Sequence, residues 1–261
     1  MEHNITSMPE IPDIEVFAYN LKQKLAGKKL VKVEVVNGKK LKDTPEEISS
    51  ALEGKTLKDI YRSGKEFRFV FADETVLGMH LMLTGDIIAF NEKNEHKQTI
   101  VDFLFEDGTG IALTDFMKNA HVKLNPVDKD GVDALELDFK YLKKVLDCKT
   151  KIKDLLMDQN IIRGIGNGYS DEILWETRIS PYSVSKAIPE EKVRELVKTI
   201  KKVLKDATKQ ILEAYPGLIT GEIKEFQKIH RRKESPTGMP IKMDQKGGRK
   251  IYYTDEQVLY E

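Results

Sequence analysis

The sequence predicts an α+β protein: one helix followed by many short strands, then a helical domain, then a short basic tail. Apolar side chains alternate with a period of two over much of residues 30–114, which is typical of strands. From Asp133 the apolar spacing becomes helical, and the tail from Glu222 is rich in glycine, proline and basic side chains. With 261 residues, 40% of them hydrophobic, the chain can bury a sizeable core and form more than one domain.

The first half is predicted to be one helix and a set of strands. A helix over Asp13 to Leu25 follows from its apolar stripe, and Gly27 ends it. The stripe consists of Ile14, Val16, Phe17, Leu21 and Leu25. The predicted strands are Leu30–Val36, Thr56–Tyr61, Phe67–Phe71, Val76–Leu81, Ile87–Phe90, Thr99–Phe105 and Gly110–Thr114. This pattern favours an all-β sandwich or barrel behind one helix.

The second half is predicted to be a small helical bundle that ends near Gly217, with residues 125–131 as the linker before it. Its helices are Phe139–Leu146, Lys151–Asp158, Ser170–Glu176 and Glu190–Ala214. The tail is expected to begin as a basic helix. Alternating Ile251, Tyr253, Val258 and Tyr260 then predict a two-stranded hairpin.

Composition argues against several classes of protein. Cys148 is the only cysteine and the five histidines are scattered, so we expect no disulfide, no metal and no cofactor. No apolar run approaches the roughly 18 residues of a membrane span, and the N-terminus lacks a secretory signal, so we expect a cytoplasmic protein without membrane contact. A net charge of zero argues against nucleic-acid binding, but nine basic against three acidic residues from Lys224 to Lys250 make the tail basic.

The stretch from Met8 to Val16 carries the first candidate chemistry. If Met8 is the true start, its removal leaves Pro9 with a free secondary amine, which can form an iminium with an aldehyde-type carbon. Glu10 is then placed to move protons around a sugar ring. The alternative is an ordinary helix start, with Pro12 and acidic residues in the first turn.

A glycine-rich turn carries the second candidate site. Gly164 and Gly166 flank Ile165, and Gly166 and Asn167 precede a predicted helix. Backbone N–H groups and the Asn167 amide there suit a phosphate oxygen. The alternative is a helix–turn–helix joint that needs no ligand.

Four segments in this order resemble the formamidopyrimidine-DNA glycosylase/endonuclease VIII (Fpg/Nei) family of DNA repair enzymes. They are Pro9–Glu15, Arg62–Lys65, His80–Gly85, and Leu155–Gln159 continued by Gly164–Asn167 and Ile179–Pro181. The resemblance covers nearly the whole chain. It implies a helix with a β-sandwich over 1–128, a helix–two-turns–helix DNA-binding domain over 129–221 and a finger over 222–261.

The resemblance also implies a mechanism and a partner, damaged double-stranded DNA. The damaged nucleotide is flipped out of the duplex. Pro9 attacks C1′, Glu10 shuttles protons, and elimination nicks the strand. Lys65 contacts the lesion phosphate and sugar, while Gly166 and Asn167 hold a flanking phosphate. For Lys65 alone, the alternative is a hairpin-tip lysine in solvent.

The tail departs from the family because many members close it with four zinc-binding cysteines that this chain lacks. Met239–Ile241, Gly247–Arg249 and Tyr252–Tyr253 resemble the zincless finger variants instead. Arg249 then matches the finger arginine that grips the lesion phosphate. The alternative is a solvated basic hairpin without a specific contact.

A second departure lies at Thr114–Ala120, where many members have an arginine and a phenylalanine that fill the gap left by the flipped base. Here Leu83, Phe116 or Met117 is either the apolar wedge or a core residue. Oxidised pyrimidines, abasic sites and hydantoin lesions are therefore alternatives to oxidised guanine as substrates.

The third departure is Met1–Ser7, which makes Pro9 an internal amide when present. We expect translation to start at Met8. The alternatives are that the extension is cleaved, or that the protein binds DNA without lyase chemistry. The leading hypothesis is a monomeric prokaryotic DNA glycosylase/AP lyase, associated with the nucleoid through DNA. The alternative is a non-catalytic relative that binds damaged DNA.

Overall fold

The computed structural model describes residues 8–261, which divide into two compact units. The first unit holds residues 8–9, 13–128 and 212–222, and the second holds residues 10–12, 129–211 and 223–261. None of the helices among these residues is long and apolar enough to cross a membrane. The three-part division at residues 128 and 221 stays a prediction.

The first unit consists mainly of two helices and two four-stranded antiparallel sheets. Its elements are α1 (Ile11–Leu25), β1 (Leu30–Val35), α2 (Pro45–Leu52), β2 (Leu57–Ser63), β3 (Glu66–Phe71), β4 (Val76–His80), β5 (Gly85–Asn91), β6 (Thr99–Phe105), β7 (Thr109–Asp115) and β8 (His121–Leu124). One sheet has the order β1-β6-β7-β5 and the other β2-β3-β4-β8. Two separate sheets are a sandwich rather than a closed barrel, which confirms the predicted fold class.

The predicted strands of this unit are present, and the prediction missed two elements. Helix α2 begins with a capping box, in which Thr44 and Glu47 bond reciprocally, and Pro45 follows the cap. This capping-box signature is visible in the sequence. Strand β8 has only four residues, and its pairing with β4 brings Val122 opposite Met79.

The second unit is helical, and its core contains fully buried aliphatic residues such as Leu156, Ile173 and Leu196. Its elements are β9 (Val132–Asp133), α3 (Phe139–Val145), α4 (Ile152–Met157), β10 (Ile162–Arg163), α5 (Asn167–Glu176), a 3₁₀ turn (Ser185–Ala187), α6 (Glu190–Ala214), β11 (Lys242–Lys246) and β12 (Arg249–Tyr253). The four predicted helices are present. Helix α5 begins three residues earlier than expected, directly at Asn167.

The predicted basic helix at the start of the tail is wrong. No helix occurs over residues 222–241, because the buried carboxylate of Glu172 accepts the backbone N–H groups of Lys228, Ile229 and His230. These three donors are bonded to a side chain of α5 and not to carbonyl groups four residues back, as the interior of a helix requires. The chain instead turns tightly around Glu172.

The position of the C-terminal hairpin also differs from the alternation-based prediction. The two strands are β11 and β12, joined at Gly247 and Gly248, which both have positive φ angles of 56° and 78°. Val258 lies outside this hairpin and forms an isolated bridge with Ile179. The hairpin therefore turns at the glycine pair, as the resemblance to zincless fingers implied.

Candidate active site

Glu10 is buried and its carboxylate is bonded to the start of helix α5. The N–H of Gly166 donates to Oε2 at 2.6 Å, the N–H of Gly168 to Oε1 at 2.8 Å, and the N–H of Tyr169 to Oε2 at 3.3 Å. A helix N-terminus carries partial positive charge, so it favours a carboxylate at this place. The carboxylate is therefore held in one orientation by the protein backbone.

The local sequence of this turn explains why it can hold a carboxylate. Gly166 is the N-cap of α5 and offers no side-chain cap, so the first N–H groups of the helix need another acceptor. A Cβ atom at Gly168 would lie 3.2 Å from Oε1 of Glu10 and 2.5 Å from Nε2 of Gln227. Only glycine fits at position 168 without moving a neighbour.

This geometry changes the interpretation of the glycine-rich turn. The turn is more than a structural joint, since it binds the carboxylate of Glu10. The N–H of Gly166, which we expected to face a phosphate, donates to Glu10 instead. A DNA contact at Gly166 stays a prediction.

Pro9 precedes Glu10 in the chain and is buried. The expectation about Met1–Ser7 concerns residues outside the range that the structure describes.

Lys65 lies in the tight turn between β2 and β3, where Ser63 pairs with Glu66 and Gly64 has a φ angle of 60°. Its side chain is not in solvent, because the residue is only 8% exposed. The alternative of a solvated hairpin-tip lysine is therefore wrong. A cation is enclosed at this turn, where an incoming anion would meet it with little screening by water.

Buried arginines support the turn that carries Lys65. Arg62 donates from Nε to Glu15 of α1 at 2.7 Å and from Nη1 to the carbonyl of Gly64 at 2.9 Å. Asp128 accepts from Ser63 at 2.9 Å and from Arg68 at 2.8 Å. Both arginine side chains are 5% exposed, while their carboxylate partners Glu15 and Asp128 are 40% and 48% exposed. These charge-assisted bonds at the protein surface hold the turn in place.

The three candidate wedge residues are all exposed. Leu83 is 49%, Phe116 70% and Met117 48% exposed, so the alternative that they belong to the core is wrong. Asp115 fixes the loop of Phe116 and Met117 by accepting the N–H groups of Met117 at 2.9 Å and Ala120 at 2.7 Å. Burial raises the pKa of Asp115, but hydrogen bonds from Thr84 and from these backbone groups lower it below its usual range.

The structure brings Asn167 next to the strand of Arg249. Nδ2 of Asn167 donates to the carbonyl oxygen of Lys250 at 2.9 Å, and its Oδ1 is buried without a hydrogen-bond partner among residues 8–261. Arg249 is exposed beside the hairpin turn, and its guanidinium forms no ion pair with any described side chain. The two predicted phosphate contacts therefore lie on adjoining segments.

The sequence analysis missed a buried polar network behind Asn167. Nζ of Lys153 donates to Asp171, to Ser170 at 2.9 Å and to the carbonyl of Asn167 at 3.2 Å. Asp171 is also 2.7 Å from Nδ1 of His230 in the tail. Lysine and aspartate 18 positions apart give no sequence signal of this contact.

A second missed pair lies on strands β4 and β8. The rings of His80 and His121 stack with centroids 5.6 Å apart. His80 is also the register partner of Glu66, the residue after Lys65. Strand register, which brings these histidines together, is not visible in their spacing along the chain.

Two family models match this chain. The formamidopyrimidine-DNA glycosylase N-terminal domain matches residues 8–122, and the formamidopyrimidine-DNA glycosylase H2TH domain matches residues 131–214. Together these matches cover most of the chain, including the segments of Glu10, Lys65 and Asn167.

Named relatives agree with these matches. A formamidopyrimidine-DNA glycosylase of Lactobacillus gasseri is 32% identical over 240 residues, which cover 85% of this chain and 86% of the relative. The one of Mycoplasma genitalium is 30% identical over 248 residues, which cover 88% and 87%.

Solved structures agree in fold. The Lactococcus lactis Fpg in complex with DNA containing an abasic site has a TM-score of 0.83 at 22% identity, with 95% of this chain and 99% of that chain covered. A MutM complex with DNA containing carbocyclic 8-oxo-G has a TM-score of 0.84 at 24% identity, with the same coverage. With the family matches and the relatives, the likeness leads to one conclusion: this chain belongs to the formamidopyrimidine-DNA glycosylase (Fpg/Nei) family.

Proposed function

We propose that the protein is a DNA repair glycosylase with AP lyase activity that acts on damaged double-stranded DNA. One observation carries the proposal: Glu10 follows Pro9 in the chain, and three backbone N–H groups hold its carboxylate in place. A proton-transfer group beside an amine nucleophile is the arrangement that Schiff-base chemistry needs. The relatives named formamidopyrimidine-DNA glycosylase support the same reaction class.

The proposed reaction begins when the damaged nucleotide leaves the base stack, because C1′ of its sugar is inaccessible in the duplex. The Pro9 nitrogen forms a bond to C1′, and the bond from C1′ to the base breaks. The base leaves with a proton, and the sugar ring opens to an iminium. Loss of a proton from C2′ then expels the 3′ phosphate, and a further elimination expels the 5′ phosphate.

Glu10 is proposed to move protons between the ring oxygen and C2′ of the sugar. General acid–base catalysis requires a group whose orientation is fixed before the reaction. The backbone donors of Gly166 and Gly168 supply this orientation without any flexible side chain.

Lys65, Asn167 and Arg249 are proposed to bind the DNA backbone around the lesion. Lys65 is a shielded cation on a braced turn, so it suits the phosphate and the sugar at the reacting nucleotide. Asn167 and Arg249 lie on adjoining segments and suit flanking phosphates. Such contacts position the DNA and carry no information on its sequence.

The proposed nucleophile requires that Pro9 carries a free amine, so the residues before it must be absent from the active protein. The family model begins its match at residue 8, which supports this requirement. Intact mass of the protein from its native cell tests it: a mass that starts at Pro9 is expected. The monomeric state and the cytoplasmic location also stay predictions.

Borohydride trapping on duplex DNA with one abasic site tests the function itself. A protein that begins at Pro9 is expected to form a covalent adduct, because borohydride reduces an iminium. Pro9→Gly is expected to remove the adduct and the strand nick, while Pro216→Ala, at an exposed proline, keeps both. Specific binding of lesion DNA without any adduct would instead establish the non-catalytic binder, which none of the comparisons favours.

A further inference from the structure

The two segments that flank the β11–β12 hairpin meet at one carboxylate, that of Glu256. The hydroxyl of Thr237, before the hairpin, donates to Oε1 at 2.8 Å, and the hydroxyl of Thr254, after it, donates to Oε2 at 3.1 Å. Oγ of Ser235 lies 3.4 Å from Oε2. Glu256 therefore joins the chain on both sides of the hairpin.

The same carboxylate is bonded to the end of helix α5. The indole N–H of Trp175 donates to Oε2 at 3.1 Å, and Nη1 of Arg178 forms an ion pair with Oε1 at 3.2 Å. The Arg178 guanidinium also lies over the Trp175 ring, 4.4 Å from its centroid. We call these six residues the Glu256 cluster: Trp175, Arg178, Ser235, Thr237, Thr254 and Glu256.

The cluster does not fit a zinc ion, which many members of the family hold in this tail. Zinc takes cysteine or histidine ligands in structural sites, whereas the cluster offers hydroxyls and one carboxylate. A guanidinium 3.2 Å from that carboxylate would also repel a cation. Within residues 8–261 no group of three or more His, Cys, Asp or Glu side chains could hold a metal.

We propose that Glu256 is a positioning residue whose carboxylate, in the absence of a metal, closes the base of the finger hairpin and thereby fixes Arg249 at its tip. The inference rests on the proposed function, in which Arg249 contacts a phosphate. Glu256 itself does not touch the DNA or the reacting atoms in this proposal.

The geometry of the hairpin makes its base important. Lys242 pairs with Tyr253 at the base and Lys246 with Arg249 at the tip. At about 3.4 Å per residue, Arg249 stands about 14 Å from the base, so a tilt of about 5° there moves it by about 1 Å. A misplacement of about 1 Å can cost about a hundredfold in rate at a reacting centre.

Other contacts restrain the hairpin along its length and not at its base. Nδ2 of Asn167 donates to the carbonyl oxygen of Lys250 at 2.9 Å, and the hydroxyl of Tyr182 donates to Asp244. Lys246 pairs with Asp154 at 3.2 Å, but both side chains are about half exposed. Asp244 accepts from Tyr253 at 2.9 Å in an exposed position. The Glu256 cluster, by contrast, lies against a small buried core of Trp175, Ile229 and Tyr252.

The test compares Glu256→Gln, which keeps the side-chain volume, with the control Glu234→Gln, which changes an exposed carboxylate of the same tail. Glu256→Gln is expected to speed hydrogen exchange of the amides in residues 242–253 and to weaken binding of abasic-analogue DNA about tenfold. The control is expected to change neither. Unchanged exchange in Glu256→Gln would overturn the proposal.

A double-mutant cycle separates positioning of Arg249 from a general loss of stability. In an Arg249→Ala background, Glu256→Gln is expected to weaken DNA binding no further, because the group it positions is gone. A full additional loss in the double variant would overturn the proposal. If Glu256→Gln does not fold, Thr237→Val decides in its place, with an expected loss of about threefold that also vanishes in the Arg249→Ala background.

A chelator tests whether the hairpin closes without a metal. It is expected to leave the wild-type affinity for DNA unchanged, and a loss of affinity would overturn the proposal by showing that a metal closes the hairpin. Hydrogen exchange does not depend on enzyme activity, so it tests the contacts of the Glu256 cluster even if the wild-type protein fails borohydride trapping. That failure would contradict the proposed function, not the role of Glu256 in the hairpin.

Discussion

The backbone N–H of Gly168 lies 2.8 Å from Oε1 of Glu10, across 158 positions of the chain. The glycine-rich turn and the N-terminal carboxylate, which the sequence presents as separate features, thus form one arrangement. Its geometry depends on the absence of a side chain at position 168.

Gly168→Ala is therefore expected to slow base excision by about tenfold to about a hundredfold while the protein stays folded. The added methyl would lie 3.2 Å from Oε1 of Glu10 and 2.5 Å from Nε2 of the buried Gln227, so both side chains must shift. Single-turnover excision measures the effect. Gly38→Ala is the control, because its methyl would meet only side-chain carbons of Val35 and Pro45. An unchanged rate in Gly168→Ala would show that the position of Glu10 does not limit the reaction.

Lys65→Gln is expected to reduce the salt dependence of lesion-DNA binding, because it removes one phosphate contact. The slope of log affinity against log salt should fall by about one unit, together with a slower excision rate. The control is Lys93→Gln, at an exposed lysine paired with Glu95 at 4.0 Å, which should leave the slope and the rate unchanged. Equal slopes in the wild type and Lys65→Gln would contradict a phosphate contact by this side chain.

The strand-rich half of the chain was readable from its sequence because period-two alternation is a local signal. Strand β6, Thr99–Phe105, has the limits predicted for it. The support of the turn that carries Lys65 could not be predicted in this way, because Arg62 bonds both Gly64 in the turn and Glu15, which is 47 positions away. Local patterns therefore predict elements, while the environment of a site residue depends on distant partners.

In the tail, by contrast, a local sequence pattern predicted the wrong structure. Its basic residues and apolar spacing indicated a helix, but Glu172, on α5, binds the N–H groups of Lys228 and Ile229 from outside the segment. Alternation likewise placed Val258 in a hairpin, whereas it pairs with Ile179. Short segments that dock on a preceding domain take their conformation from that domain.

Alanine variants of the exposed residues Leu83, Phe116 and Met117 test which of them fills the space left by the flipped base. Alanine at any of them is expected to change the stability by no more than about 0.5 kcal/mol, because none is buried. The variant that lacks the wedge should no longer unstack the base opposite the lesion and should excise the damaged base more slowly. A fluorescent base analogue opposite the lesion measures the unstacking. Val127→Ala, at another exposed apolar residue, should leave both unchanged. Normal unstacking in all three variants would exclude an apolar wedge from these loops.

The Glu256 cluster predicts a particular pH dependence of stability. Burial raises the pKa of Glu256, but hydrogen bonds from Thr237, Trp175 and Thr254 and the charge of Arg178 outweigh it, so the pKa lies below its usual range. A carboxylate with a lowered pKa in the folded state stabilises the fold above the pKa of the unfolded state, and this contribution is lost as the pH falls through the folded pKa.

The difference in unfolding free energy between the wild type and Glu256→Gln should therefore be constant from about pH 8 to about pH 6 and should shrink towards about pH 3. Other carboxylates titrate equally in both proteins and cancel in the difference. Arg178 stays charged and the indole and hydroxyl groups of the cluster do not titrate in this range, so the change belongs to Glu256. Urea denaturation at each pH measures it, with Glu234→Gln as the control that shows no such difference. A difference that is independent of pH, or that grows in acid, would mean that the ionised carboxylate is not what holds the cluster together.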